Sequence, residues 1–234
     1  MRKLKATNIS KQFGSRQVLK NISIEINSSE IVSILGPNGA GKTTTFYIIL
    51  GLTHANTGEI RIDKDLITHL TIHQRARKGL GYLPQEKSIF RKMTVAENIL
   101  AVLELRKDLN RQQRINALNE LLNDFHLTKL RDVKAPLLSG GECRRTELAR
   151  SLASNPHFLL LDEPFAGVDP ISILDIKKMI IQLQERGIGI LITDHNVRET
   201  LKISNRAYVI NQGEVLCEGT ANEILQNQDV KNVY

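Results

Sequence analysis

No apolar run in the chain approaches the ~20 residues that a bilayer-spanning helix needs; the nearest candidates, around residues 46–52 and 158–161, fall far short. The opening Met1-Arg2-Lys3-Leu4-Lys5 carries basic residues with no apolar stretch behind them, which reads against a signal peptide. Cysteine is scarce: Cys143 and Cys217 stand apart, without paired spacing, which argues against metal or redox use and for two reduced thiols. The 6 histidines are scattered along the chain, and no metal site is read from them. Aromatics make up only 4% of the residues, so the stacking platforms of single-strand nucleic-acid binders are missing. Lys and Arg give a net charge of +7 but are spread along the whole chain with no dense basic block. The balance is compatible with a nearby membrane surface, and no nucleic-acid partner is expected.

What remains is the composition of an ordinary globular protein, with 41% hydrophobic and 24% charged residues in a chain of 234. That length gives one large domain or two small lobes with ample core. There is no internal repeat, linker or low-complexity segment. Alternating apolar positions predict strands over 4–9 and 18–26, and a buried strand over 30–35 runs into a glycine-rich loop and then a helix over 43–52. Further strands are expected at 58–63 and 80–83. From about residue 94 to 153 the period turns helical, through Val95, Ile99, Val102 and Leu103, then Ile115, Leu118, Leu121 and Leu122. The apolar runs 158–161 and 189–193 suit the interior of a parallel sheet. A helix over 172–185 is expected between them, then a hairpin of 206–210 and 214–218, and a short helix from about residue 220.

Gly36-Pro37-Asn38-Gly39-Ala40-Gly41-Lys42-Thr43-Thr44 has the form of a phosphate-binding loop. Glycines let backbone amides turn inward around phosphates. Lys42 supplies a point charge for the β and γ phosphates, Thr43 a hydroxyl for Mg²⁺, and the helix that follows its positive end. Downstream, Leu159-Leu160-Leu161-Asp162-Glu163 closes an apolar strand on two carboxylates. Asp162 is placed to hold Mg²⁺ and Glu163 to take a proton from attacking water.

These motifs, with Leu138-Ser139-Gly140-Gly141-Glu142 between them, resemble in kind and order those of the ATP-binding-cassette (ABC) ATPases over essentially the whole chain. The resemblance implies an α/β fold of the P-loop NTPase type: a mixed-sheet core over 1–90 and 156–234, with an N-terminal antiparallel part, and a helical subdomain inserted over about 91–155. It implies that Gln85 contacts Mg²⁺ and the attacking water, and that Ser139, Gly140 and Gly141 bind the γ-phosphate held by a partner subunit. Asp169 would couple the two sites, His195 would contact the γ-phosphate, and Phe13 would stack on adenine. Glu142 stands where many members carry glutamine, and is expected to tune activity rather than abolish it. ATP and Mg²⁺ are the implied ligands, and a homodimer sandwiching two ATP molecules the implied assembly. Glu86, Phe90 and Arg91 are the expected contacts with a separate permease.

Longer phrases narrow the resemblance. Gly81-Tyr82-Leu83-Pro84-Gln85-Glu86, Asp162-Glu163-Pro164-Phe165-Ala166-Gly167-Val168-Asp169-Pro170 and Thr193-Asp194-His195-Asn196-Val197-Arg198-Glu199-Thr200 are similar to the ATPases of lipopolysaccharide-export systems. Such an ATPase is cytoplasmic, peripheral on the inner face of the inner membrane, and drives two membrane permease subunits. The cargo is handled by the complex and not by this chain. ATPases of branched-chain amino-acid importers share the phosphate loop and are the alternative; a non-transport ABC ATPase is a distant one.

Overall fold

The computed structural model describes residues 1–233; Tyr234, the last residue of the expected domain, lies outside the described residues. Strands β1 (Lys3–Phe13), β2 (Arg16–Asn27), β4 (Thr57–Ile62) and β5 (Asp65–Leu66) form an antiparallel sheet in the order β2-β1-β4-β5. A second sheet runs β10-β9-β3-β8-β7-β6, from β3 (Ile31–Leu35), β6 (Leu80–Leu83), β7 (Phe158–Asp162), β8 (Gly189–Thr193), β9 (Arg206–Asn211) and β10 (Glu214–Gly219). It is parallel except where β10 returns antiparallel to β9.

The apolar runs of β3, β7 and β8 are buried along their whole length because both faces of this sheet are covered. Their period of two divides them between two cores. Val32, Ile34, Phe158, Leu160 and Leu191 face the antiparallel sheet and helix α1 (Lys42–Leu50). Ile31, Leu159, Leu161, Ile190 and Ile192 face the opposite way, onto α3 (Val95–Leu103), α4 (Arg111–Asp124), α5 (Gly140–Ala153) and α6 (Pro170–Glu185). The helical segment thus shares one core with the parallel sheet. Thr94, Asn110 and Ser139 cap α3, α4 and α5 through their side chains, each such cap being worth about 1 kcal/mol.

The expected element order holds. The sequence reading missed α2 (Ile72–Arg77), β5, α7 (Val197–Leu201) and the division of the C-terminal helix into α8 (Ala221–Gln226) and α9 (Gln228–Val233). Helix α1 ends at Leu50, two residues earlier than expected, capped by Gly51 in the left-handed conformation.

Candidate active site

The C-terminal ends of β3, β7 and β8 lie side by side, so the loops that leave them meet. The loop after β3 wraps back onto Lys42. Its geometry depends on glycine: Gly36 has φ +146°, and a Cβ there would lie 2.1 Å from the Ile210 carbonyl oxygen. At Gly41, φ is +110° and a Cβ would lie 2.5 Å from Leu19 Cδ2. The Lys42 ammonium donates to the carbonyls of Gly36 (2.7 Å) and Pro37 (2.9 Å). Burial lowers its pKa, against the opposing pull of Glu163. A cavity of about 280 Å³ opens over this loop, walled by Asn38, Gly39, Gly41, Thr43, Thr44 and the far-side residues Glu163 and His195.

Glu163 is the junction. Its Oε2 accepts from Gln85 Nε2 at 2.7 Å, and its Oε1 lies 2.6 Å from His195 Nε2. Its backbone is left-handed, at φ +46°, which a non-glycine residue adopts only at a cost of roughly 1–3 kcal/mol. Burial, opposed by His195 and reinforced by Asp194 and Asp162, raises the Glu163 pKa. A carboxylate that holds its proton more tightly is a better base towards water.

The neighbouring Asp162 is buried, and burial raises its pKa as well. Its Oδ1 accepts from the Thr193 hydroxyl at 2.8 Å, while Oδ2 is buried with no hydrogen-bond partner among the described residues. A buried carboxylate oxygen without a donor suits a hydrated cation. Among the described residues no group of three His, Cys, Asp or Glu could hold a metal alone. The free Asp162 oxygen fits Mg²⁺, which takes one or two protein oxygens and completes its shell with substrate phosphates and water.

The 138–142 segment, the signature of the resemblance, lies elsewhere. Ser139, Gly140 and Gly141 are not among the walls of the cavity. They start α5 and pack on the start of α6: a Cβ at Gly141 would sit 2.4 Å from Ser172 Oγ and 3.9 Å from Asp169 Oδ2. Glu142 completes a capping box, its Oε2 accepting from the Ser139 N–H at 2.8 Å. Those bonds to Ser139 lower its pKa, so an acid in this place steadies the serine. Phe13 is not a cavity wall either; it is exposed at the end of β1, with Lys11 Nζ 4.9 Å from its ring centroid. Arg16 and Val18, which the sequence reading did not single out, line the cavity instead.

Also missed was an inward polar face on α5, made by Arg144, Glu147 and Arg150. Arg144 is buried and donates to the carbonyls of Pro84, Asp162, Glu163 and Pro164, and to Glu147. Glu147 accepts from the Ser88 and Ile89 N–H groups. Arg150 donates to Ser88 and stacks 4.6 Å from the Phe90 centroid. The three-residue spacing was the available signal, but it appears as polar residues on an inner face, where apolar ones are sought. Replacing Arg144 by alanine strands the four carbonyls and Glu147, so stability is expected to fall by about 3–5 kcal/mol. Urea unfolding measures it; a loss below about 1 kcal/mol would show that water replaces the guanidinium.

A second opening, of about 240 Å³, lies between α2, β6 and α5, with Ile72, Ala76, Tyr82, Val102 and Arg150 among its walls. Phe90 stands beside it, exposed, under Arg150. Glu86 and Arg91 are exposed on the same loop.

The strand–glycine loop–helix with its lysine, the carboxylate pair at the end of β7 and His195 just beyond β8 together define a nucleotide-hydrolysing cassette, and the ABC transporter family model matches residues 19–166. The chain belongs to that family and is an ATPase. Over 234 residues it is 55% identical to the lipopolysaccharide export system ATP-binding protein LptB of Escherichia coli (strain K12), covering 100% of this chain and 97% of that protein. The ADP conformation of MJ1267, an ATP-binding cassette of an ABC transporter, superposes with a TM-score of 0.89 at 29% identity, covering 100% of this chain and 98% of that one. A dimeric post-hydrolysis cassette, MJ0796 bound to ADP and Pi, superposes with a TM-score of 0.81 at 28% identity, covering 93% and 98%.

Proposed function

We propose that this chain is the ATP-hydrolysing subunit of a lipopolysaccharide-export transporter. It would act as a homodimer on the cytoplasmic face of the inner membrane, driving two permease subunits. The observation that carries the reading is the meeting of Gln85, Glu163 and His195 beside the phosphate loop, while Ser139–Gly141 stay off its cavity. A site with its base in place and its signature facing elsewhere is completed by a second copy. The cargo comes from the relative: identity of 55% across the full chain to an export protein favours export over the amino-acid importer.

In this reading the inward amides of 36–41 and Lys42 bind the β and γ phosphates. Thr43, Asp162 and Gln85 would hold Mg²⁺, which would neutralise charge on the phosphate oxygens. Glu163 draws a proton from water that Gln85 orients, and His195 contacts the γ-phosphate. Phe13 stacks on adenine. Ser139, Gly140 and Gly141 of the second copy close over the same phosphates, and Asp169, bonded to Ser172 N–H at 3.0 Å, couples the two sites. In proteoliposomes containing the whole complex, ATP is expected to release lipopolysaccharide from the bilayer. ATP-driven amino-acid uptake, or turnover with no lipopolysaccharide release, would assign a different cargo.

The permease docks at the opening between α2 and α5, with Phe90 as apolar anchor and Glu86 and Arg91 as rim. Such anchors lose about 2 kcal/mol or more on truncation. Phe90→Ala is therefore expected to leave ATP binding intact and to reduce co-purifying permease at least tenfold. Unchanged recovery of permease would place the contact elsewhere.

A further inference from the structure

Asp194 belongs to the Thr193-Asp194-His195 phrase, and so far only its charge has figured, as one of those that raise the Glu163 pKa; its bonds have not. It is 6% exposed. Each of its carboxylate oxygens takes one backbone N–H, and the two donors lie on different loops. Oδ2 accepts from Phe165, two residues beyond Glu163, at 3.2 Å. Oδ1 accepts from Asn196, one residue beyond His195, at 2.8 Å. One side chain therefore ties the loop of Glu163 to the loop of His195.

The other links between these strand ends do not duplicate it. Thr193 carbonyl accepts from the Glu163 N–H at 2.7 Å, and the Thr193 hydroxyl donates to Asp162 at 2.8 Å. Both act before the loops turn away. Asp194 acts after the turn, beyond the left-handed backbone of Glu163; Arg144 holds the carbonyls of that turn but does not reach the His195 loop. It spans both loops where the carboxylate and the imidazole lie 2.6 Å apart.

We infer that Asp194 is a positioning residue for hydrolysis, whose buried carboxylate brackets the Phe165 and Asn196 amides and so fixes Glu163 against His195. The inference rests on the reading of Glu163 as the base. Asp194 is itself a wall of the cavity, but both its oxygens are taken by amides outside the phosphate loop, so the bracket is expected to bear on the rate of the chemical step more than on the affinity for ATP. A misplacement of about 1 Å costs on the order of 10²-fold in rate.

The test is single-turnover and steady-state hydrolysis of radiolabelled ATP by the full-length chain carrying Asp194→Ala, Asp194→Asn or Glu163→Gln, and by the Asp194→Ala/Glu163→Gln double variant. Asp194→Ala is expected to lower kcat about 100-fold with KM for ATP within about threefold. Asp194→Asn keeps its shape and one acceptor but turns an amide against the other N–H, so a loss of about tenfold is expected. It reads the same bracket should the alanine variant fold poorly. In the Glu163→Gln background Asp194→Ala is expected to add less than about twofold, because residues acting as a unit are not additive. A dead Glu163→Gln chain together with a near-normal kcat for both Asp194 variants would overturn the inference alone, as would a full further loss in the double variant or a rise confined to KM. A Glu163→Gln chain that hydrolyses normally would overturn the reading of the base, and this inference with it.

Discussion

Replacing Glu163 by glutamine is expected to lower kcat for ATP by about 10²–10⁴-fold, the usual loss on removing a general base, while ATP binding persists. The amide is isosteric, so it can still meet Gln85 and His195, which lie 2.7 and 2.6 Å from the carboxylate oxygens. What it loses is the ability to take a proton. Lys42 and the loop amides are untouched, so nucleotide affinity is expected to stay within about threefold, the size of change left by a lost surface interaction. In the proposed homodimer ATP holds the two copies together until it is hydrolysed, so the variant is expected to run as an ATP-bound dimer on gel filtration. Hydrolysis within tenfold of the native rate would remove Glu163 from the role of base.

The second large effect is expected at Ser139. In the Glu163→Gln background, Ser139→Arg places a long cation where the partner's phosphates are to be received, on the rim of α5 and away from the chain's own cavity. ATP-dependent dimerisation is expected to weaken by about 100-fold or more, as for loss of charge-assisted bonds at a buried anion with steric exclusion added. Binding of ATP by the monomer is expected to be unchanged. The contrast between the two readouts carries the argument: parallel loss of monomer binding would mean that the signature acts on its own chain's nucleotide.

The strand, loop and helix 31–50 were legible because glycine chemistry and a doubly buried strand leave few alternatives. Helix α2 was not legible, for a definite reason. Its one buried residue is Arg75, whose guanidinium donates to the carbonyls of Ile48, Ile49, Thr68 and Leu70. It satisfies the open C-terminal end of α1, and burial pushes its pKa down to about 10. A helix that faces the core with a cation shows no apolar period. Strand β1 was read as ending near Ile9 because Ser10, Lys11 and Gln12 break the alternation; pairing with β2 carries it on to Phe13 through register shifts. Helix α7, at five residues, is too short to show a period and is held by Asn196 as cap and by the Lys177–Glu199 ion pair from α6.

The site divides in the same way. Lys42, Asp162, Glu163 and His195 could be read from motif and order. The brackets around them could not, because Arg144 and Asp194 work through backbone carbonyls and amides that any residue carries. Nothing in the sequence of the bonded partners marks them. Arg16 became a cavity wall only because β2 begins beside the phosphate loop, a contact between distant segments.

The central claim is that this ATPase, paired with its own copy, drives permeases that extract lipopolysaccharide. Its most direct test is to identify what a tagged Glu163→Gln chain retains from detergent-solubilised membranes in the presence of ATP. The account predicts two membrane permeases with bound lipopolysaccharide, in a complex containing two copies of this chain. Recovery of amino-acid permeases, or of ribosomes or DNA without any membrane protein, would contradict it.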